Sequence, residues 1–286
     1  MNVSEILVAR PIARAPRALH AGGTGRIALI SVTLAFVGAV VVLPVVAVLV
    51  QAFGGGLVSY LRALSLPDSL SALFLTLKVA AVVVPANVAF GLAAGWAIGK
   101  FDFRGKALLT ALIEIPFAVS PVVSGLIFVL SLGPRTPVGA WLADHDIRIL
   151  FSWPAIMLAT TFVTFPYVAR EVITAMESTG RDQEEAAAIL GASGLRTFFQ
   201  ITLPRIRWAL FYGVILCNAR AMGEFGAVSV VSGHVRGSTN TLPLQVEVLY
   251  DDYRFSDAFA VASLLVLLAV FTLVGKAVVE RVMRKA

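Results

Sequence analysis

The sequence has little charge and almost no cysteine. Only 14% of its 286 residues are charged and 58% are hydrophobic, which is far more apolar than a soluble globular domain. The one cysteine, Cys217, cannot form an intrachain disulfide, and the three histidines (His20, His145 and His234) are too widely spaced to indicate a metal site. These absences argue against a water-soluble protein, a disulfide-bonded scaffold and a zinc protein.

Enzyme motifs are absent as well. The three Gly-Lys pairs, at residues 99–100, 105–106 and 275–276, have neither a glycine five residues earlier nor a following Ser or Thr, so none is a phosphate-binding P-loop. Neither Gly-x-Ser-x-Gly nor His-Glu-x-x-His occurs. We therefore expect no catalytic residue, no bound metal and no cofactor in this chain.

Six apolar stretches are long enough to cross a membrane as helices, which takes about 20 residues. They are residues 27–52, 70–99, 106–132, 151–175, 206–232 and 257–279. The first stretch is too long for the core of a signal peptide and lacks a small-residue cleavage site, so we expect a retained signal anchor. Prolines interrupt several stretches, where we expect kinks: Pro44, Pro85, Pro116, Pro121 and Pro166. The sequence predicts an all-α transmembrane bundle of about six spans.

Basic residues are distributed unevenly between the two sides of this bundle. With the N-terminus inside, 16 of the 23 lysines and arginines fall in inward segments and five in outward loops. Because basic residues are retained on the cytoplasmic side, both termini are predicted to be cytoplasmic. We expect a basic segment at residues 1–26 and a transmembrane domain at residues 27–286. The positive charge is scattered over several segments, so no nucleic-acid-binding face is expected.

The longest inward connection, residues 176–205, is predicted to form two short helices. Acidic residues at 182, 184 and 185 favour the first turn of one helix, which we expect to end at Gly191 in a left-handed conformation. The second helix should run from about Leu195 to Thr202, with Pro204 as its stop. Four residues would give it an apolar side that requires a partner surface: Leu195, Phe198, Phe199 and Ile201.

Four ionisable residues lie about two turns or more from the ends of the predicted spans, where each is costly unless it faces protein or water. Arg220 and Glu224 are four residues apart and can pair on one helix face. Such a pair is either a packing contact or part of a translocation pathway, and the sequence leaves both open. Lys78 and Glu114 lie about two turns from a helix end, so we expect them to extend toward an interface.

Residues 184–204 resemble the "EAA" loop of permease subunits in binding-protein-dependent ABC importers. The matching positions are Glu185, Ala186, Ala187, Gly191, Ile201, Leu203 and Pro204. The resemblance implies a type I ABC importer permease (MetI-like) fold in the bacterial inner membrane. It also implies that these residues form the coupling helices, which contact a separate ATPase subunit that uses ATP. The alternative is an amphipathic loop resting on the bilayer. We call residues 176–205 the EAA loop.

Residues 212–253 are similar to the CysW-type family of sulfate/thiosulfate permease subunits. The segments that carry this similarity are residues 218–228, 232–234 and 236–247. The resemblance implies a heterodimeric pore with a second permease of the CysT type. It further implies ATPase subunits of the CysA type and a periplasmic sulfate/thiosulfate-binding protein.

Other transport functions remain as alternatives. Molybdate permeases look similar around Arg220 and Glu224, so a molybdate or related oxyanion ABC permease, which would form a homodimer, stays open. A secondary transporter commonly shows inverted repeats, and no clear internal repeat is visible. A membrane-anchored structural protein would leave the intramembrane charges unexplained.

Overall fold

The computed structural model describes residues 23–283, with side chains from residue 25 to residue 281. Most of the basic segment predicted at residues 1–26 therefore lies outside the described residues. The chain divides into two units, residues 1–47 and 48–286. The predicted domain boundary after residue 26 and the cytoplasmic location of both termini stay predictions.

In the first unit, helix α1 (Gly23–Val37) leads through a π-helical turn (Gly38–Val42) into the start of α2 (Leu43–Ala52). The Leu43 amide donates to the Gly38 carbonyl, five residues earlier. This wider turn immediately precedes Pro44, whose ring would clash with the carbonyl four residues before it in a regular α-helix. The predicted span at 27–52 is therefore helical, with a local widening where the proline was expected to kink it.

The second unit continues from α2 with twelve further helices over residues up to 283. They are α3 (Gly56–Leu64), α4 (Pro67–Lys100), α5 (Lys106–Ala118), α6 (Pro121–Leu132), α7 (Pro137–Asp144), α8 (Trp153–Ser178), α9 (Asp182–Ile189), α10 (Gly194–Thr197), α11 (Leu203–Met222), α12 (Gly226–Val231), α13 (Leu242–Asp251) and α14 (Phe255–Met283). A second π-helical turn, Phe198–Thr202, joins α10 to α11. Every element in the described part of the chain is helical, and the predicted all-α fold is confirmed.

The six predicted spans do not all become single helices. Among the described residues, four helices are long and apolar enough to cross a membrane: Gly25–Ala52, Pro67–Lys100, Trp153–Ser178 and Phe255–Arg281. The stretch at 106–132 instead forms α5 and α6, which meet at an angle of 109°. The stretch at 206–232 is interrupted between Met222 and Gly226, and α11 itself carries three arginines. The described residues thus contain four such helices, or five if the bent pair α5 and α6 is counted as one span, against about six predicted.

Helices α4 and α8 pack closely along three glycines of α4. Gly91, Gly95 and Gly99 are spaced four apart and face the buried side chains of α8. A Cβ atom at Gly91 would lie 2.7 Å from Val168 Cγ1, and one at Gly99 would lie 2.6 Å from Met176 Cβ. Small residues at this spacing allow two membrane helices to approach within backbone contact. These glycines therefore fix α4 against α8.

A buried polar contact joins α4, α8 and α11. Asn87 Nδ2 donates to Thr164 Oγ1 at 2.8 Å and approaches Cys217 Sγ at 3.4 Å. All three side chains are buried. Hydrogen bonds between membrane helices contribute about 1 kcal/mol each. The lone cysteine thus has a packing role in the centre of this three-helix core.

Candidate functional site

The first half of the EAA loop is α9 and the turn that ends it. Gly191 has a φ of +83°, so the predicted left-handed helix end is confirmed. The Ala192 amide donates to the Ala187 carbonyl at 2.9 Å, and the Gly191 amide donates to the Ala188 carbonyl at 3.0 Å. These two bonds form a Schellman motif, which satisfies carbonyls at the helix end. The motif alanines and Gly191 therefore form one structural unit, which reverses the chain between α9 and α10.

The second half of the loop differs from the prediction. Ser193 caps α10 by accepting a bond from the Arg196 amide, but Pro204 does not stop the helix. The chain stays helical from Gly194 to Met222, because the π-helical turn widens the backbone just before the proline. The Leu203 amide donates to the Phe198 carbonyl, five residues earlier, as at Pro44. The prediction of a helix ending before Pro204 was wrong.

The apolar surface of the loop also differs from the predicted one. Phe198 is only 8% exposed and packs on Trp96, with 4.9 Å between ring centroids. Leu195 and Phe199 are exposed, as expected. The most exposed apolar side chains of the loop are Ile189 and Leu190, at 86% and 87%. Sequence reasoning missed these two because they close the first helix rather than line the second.

The matching positions of the EAA motif lie on or near the surface. Four of them are exposed: Glu185, Ala186, Gly191 and Pro204. The other three, Ala187, Ile201 and Leu203, are half-buried. None of the eight residues of α9 is buried. The first helix of the loop is therefore held by polar contacts and chain connections rather than by a hydrophobic core.

The principal polar contact is an ion pair that the sequence did not reveal. Lys100, the last residue of α4, places its Nζ atom 2.9 Å from Glu184 Oε2. Their side chains are 6% and 15% exposed, respectively. Thr202 Oγ1 donates to the other carboxylate oxygen of Glu184 at 2.8 Å. Residues 84 positions apart cannot be paired from spacing alone, so the sequence predicts Lys100 only as one of the inward basic residues.

A second charged pair lies at the interruption between α11 and α12. Arg220 Nη1 is 2.7 Å from Glu224 Oε2, so the predicted pairing is confirmed. Glu224 does not share a helix with Arg220, since α11 ends at Met222. Its Oε1 atom accepts a bond from the Ala227 amide at 2.8 Å, at the start of α12. Glu224 is fully buried, whereas the Arg220 side chain is 30% exposed.

This interruption contacts the one between α5 and α6. A Cβ atom at Gly226 would lie 3.0 Å from Pro121 Cβ, and one at Gly125 would lie 2.7 Å from the Ala227 carbonyl oxygen. Val119 has an extended backbone, and the adjacent Ser120 is exposed. We call residues 118–121 together with residues 222–226 the break junction. Irregular backbone at membrane depth is tolerated only where protein covers it or water fills a cavity.

The other two intramembrane charges have no acidic or basic partner within salt-bridge distance in the described part of the chain. Lys78 lies over the Trp153 ring, 4.3 Å from its centroid, and is exposed. Glu114 is exposed beside a recess that Arg170 and Glu177 also line. Neither residue belongs to the EAA loop or to the break junction.

The segment at 232–247 is partly buried against α4. Its buried residues include Asn240, Thr241, Leu242 and Gln245. The Leu242 amide donates to Thr76 Oγ1 at 2.8 Å. Arg236 bonds to Asp252, which raises the pKa of the guanidinium above its ordinary value. The Arg236 guanidinium therefore stays protonated throughout the physiological range.

Comparisons with known proteins agree with this architecture. The family model described as "Binding-protein-dependent transport system inner membrane component" matches residues 87–285. The sulfate transport system permease protein CysW of Escherichia coli (strain K12) is 48% identical over 256 residues, covering 90% of this chain and 88% of that protein. CysW of Synechocystis sp. is 48% identical over 253 residues, covering 88% and 92%. CysT of Escherichia coli (strain K12) is 33% identical over 233 residues, covering 82% and 84%.

A solved structure shares the fold. It is the crystal structure of a bacterial alginate ABC transporter in complex with an alginate pentasaccharide-bound periplasmic protein. The TM-score is 0.75 at 15% identity, and the match covers 90% of this chain and 94% of that one. At this identity the likeness concerns the fold alone.

Proposed function

Because the chain belongs to the family of binding-protein-dependent transport system inner membrane components, we propose that it is a permease subunit of an ATP-driven sulfate/thiosulfate importer. Membership makes it a multi-pass inner-membrane transport subunit and not an enzyme, and ATP is used by a partner ATPase. The proposed substrate rests on the 48% identity to CysW over nine-tenths of the chain.

The pore is formed by two permeases. Similarity to both CysW and CysT implies a permease pair in an ABC importer. We infer that this chain takes the CysW position, because its identity to CysW exceeds its identity to CysT, 48% against 33%. Two ATPase subunits of the CysA type and a periplasmic sulfate/thiosulfate-binding protein complete the proposed complex.

The EAA loop is the proposed contact with the ATPase. Support comes from the exposed Ile189 and Leu190, which project from a helix with no buried residue of its own. Two adjacent apolar side chains that are this exposed favour a protein partner over solvent. In the complex, closure of two ATPases would draw the loops of the two permeases together and rock the subunits between inward-open and outward-open states.

Arg220 and Glu224 are proposed to lie on the translocation pathway. The guanidinium remains partly exposed while its partner carboxylate is buried behind it, so N–H donors stay available to an oxyanion. The adjoining irregular backbone of the break junction would be unfavourable against lipid and is suited to a hydrated path or a subunit interface. Because Glu224 offsets the positive field, most substrate selectivity is assigned to the periplasmic binding protein.

Reconstitution tests this proposal. The chain would be coexpressed with CysT-type and CysA-type subunits, purified through a tag on this chain and placed in liposomes. We expect copurification of the ATPase and ATP-dependent uptake of radiolabelled sulfate in the presence of the sulfate-binding protein. Unlabelled thiosulfate should compete and molybdate should not.

A matched complex with a hydrolysis-deficient ATPase serves as the control for leakage. Failure of the ATPase to copurify would overturn the permease assignment. Uptake of molybdate in preference to sulfate would keep the permease assignment and overturn the substrate.

A further inference from the structure

The end of α4 carries a buried ammonium group. Lys100 is 9% exposed, and its Nζ atom bonds to the Gly180 carbonyl at 2.5 Å and to Thr179 Oγ1 at 3.4 Å, besides the ion pair with Glu184. An unpaired buried charge is strongly unfavourable, whereas a paired and hydrogen-bonded one is tolerated. Lys100 thus depends on the EAA loop for all of its charge compensation within the described structure.

Glu184 divides its two carboxylate oxygens between two elements. One oxygen pairs with Lys100 on α4, and the other accepts from Thr202 in the π-helical turn before α11. Thr202 is itself buried. Glu184 therefore connects α9 to the ends of two long helices, and it does so in a helix that has no hydrophobic anchor.

Neighbouring charges behave differently. Asp102 lies 3.8 Å from Lys106 and 3.2 Å from Arg181, but its side chain is 76% exposed. Exposed ion pairs contribute little to a defined geometry. Lys106, in the exposed set, is only six residues from the buried Lys100. A variant of Lys106 is therefore a matched control for the same variant of Lys100.

We propose that Lys100 is a positioning residue that transmits displacement of the EAA loop to α4. This inference rests on the proposed function, in which the ATPase moves the loop. Helix α4 has 34 residues, about 50 Å at 1.5 Å per residue, and its glycines hold it against α8. A displacement of α9 reaches this packed pair through Glu184 and Lys100, while Glu185, one position on, remains exposed for the partner.

The test replaces Lys100 by methionine in the reconstituted complex. We expect the ratio of radiolabelled sulfate taken up to ATP hydrolysed to fall about tenfold, within the usual range for coupling between sites. The ATPase should still copurify. Lys106→Met is the control and should leave the ratio unchanged, and Lys100→Arg should restore most of it. A purely structural role would lower the amount of assembled complex and leave the ratio unaltered.

A second variant keeps the test decisive if Lys100→Met does not accumulate. Glu184→Gln preserves the side-chain shape and removes the charge, and the same loss of ratio is expected. A wild-type ratio in an assembled Lys100→Met or Glu184→Gln complex overturns the inference, as does an equal loss in Lys106→Met. Absence of the ATPase from the wild-type preparation would instead count against the proposed function itself.

Discussion

The EAA loop and the break junction each hold a glutamate against a basic side chain, but the buried partner differs. At the EAA loop, Lys100 of α4 is buried, and its polar contacts all lie within the chain. At the junction the glutamate is buried, and the arginine keeps almost a third of its side chain exposed. A closed network suits a fixed mechanical connection. An accessible guanidinium suits a place where something from outside the chain can bind.

The largest expected effect comes from destroying the geometry of the loop. Gly191→Arg should leave the protein in the membrane and abolish coupled sulfate uptake, because a side chain at φ +83° is strained and would place a large charged group on the proposed ATPase contact. Uptake and membrane immunoblots measure both outcomes. Gly105→Arg, at φ +96° and with open space around it as at Gly191, introduces similar strain outside the EAA loop and should retain uptake. Normal uptake in Gly191→Arg would contradict the coupling role.

At the break junction, the single variant of Arg220 and the double variant with Glu224 should differ in their effect on sulfate uptake. Arg220→Ala leaves Glu224 buried without its ion-pair partner, a loss of about 3–5 kcal/mol, and should impair total uptake more than the double change with Glu224→Ala. The double variant should recover assembly while uptake per assembled complex stays low. Quantified complexes and labelled sulfate separate these effects. Full recovery of uptake per complex would make the pair a packing contact only.

The exposed apolar residues of the loop should affect affinity rather than geometry. Ile189→Ser with Leu190→Ser removes apolar area that the ATPase would bury, and ATPase retention during purification should fall at least about tenfold. Val58→Ser, at a comparably exposed residue of α3, is the control. Equal retention by both variants would place the ATPase contact elsewhere.

The smallest effect is expected at Lys78. Its cation–π contact with Trp153 is exposed and contributes about 0.5–1 kcal/mol, so Lys78→Met should keep sulfate uptake within about twofold of wild type. A severe loss of sulfate uptake would show that Lys78 has a functional role in addition to the two ion pairs.

Much of this architecture could be predicted from local sequence. Composition and the length of the apolar stretches predict an all-helical membrane protein, Gly191 predicts the turn, and the spacing of Arg220 and Glu224 predicts their pairing. Each of these depends on residues close together in the chain. The conformation there follows from chirality, helical periodicity and charge, which need no knowledge of distant partners.

The errors concern features that packing decides. Pro121 begins a new helix at an angle of 109°, while Pro204 lies inside a continuous helix. The sequence does not distinguish these outcomes, since the first depends on contact with Gly226 and the second on a widened preceding turn. Phe198 likewise turns inward because Trp96 is there to receive it. The pairing of Lys100 with Glu184 requires α4 and α8 to be packed first.

The widened turn before Pro204 has a mechanical consequence. Because the helix is unbroken from Gly194 to Met222, the second half of the EAA loop and Arg220 lie at opposite ends of one helix about 40 Å long. In the proposed mechanism, movement of the EAA loop by the ATPase would thus reach the proposed translocation pathway along continuous helix, with no loop in between.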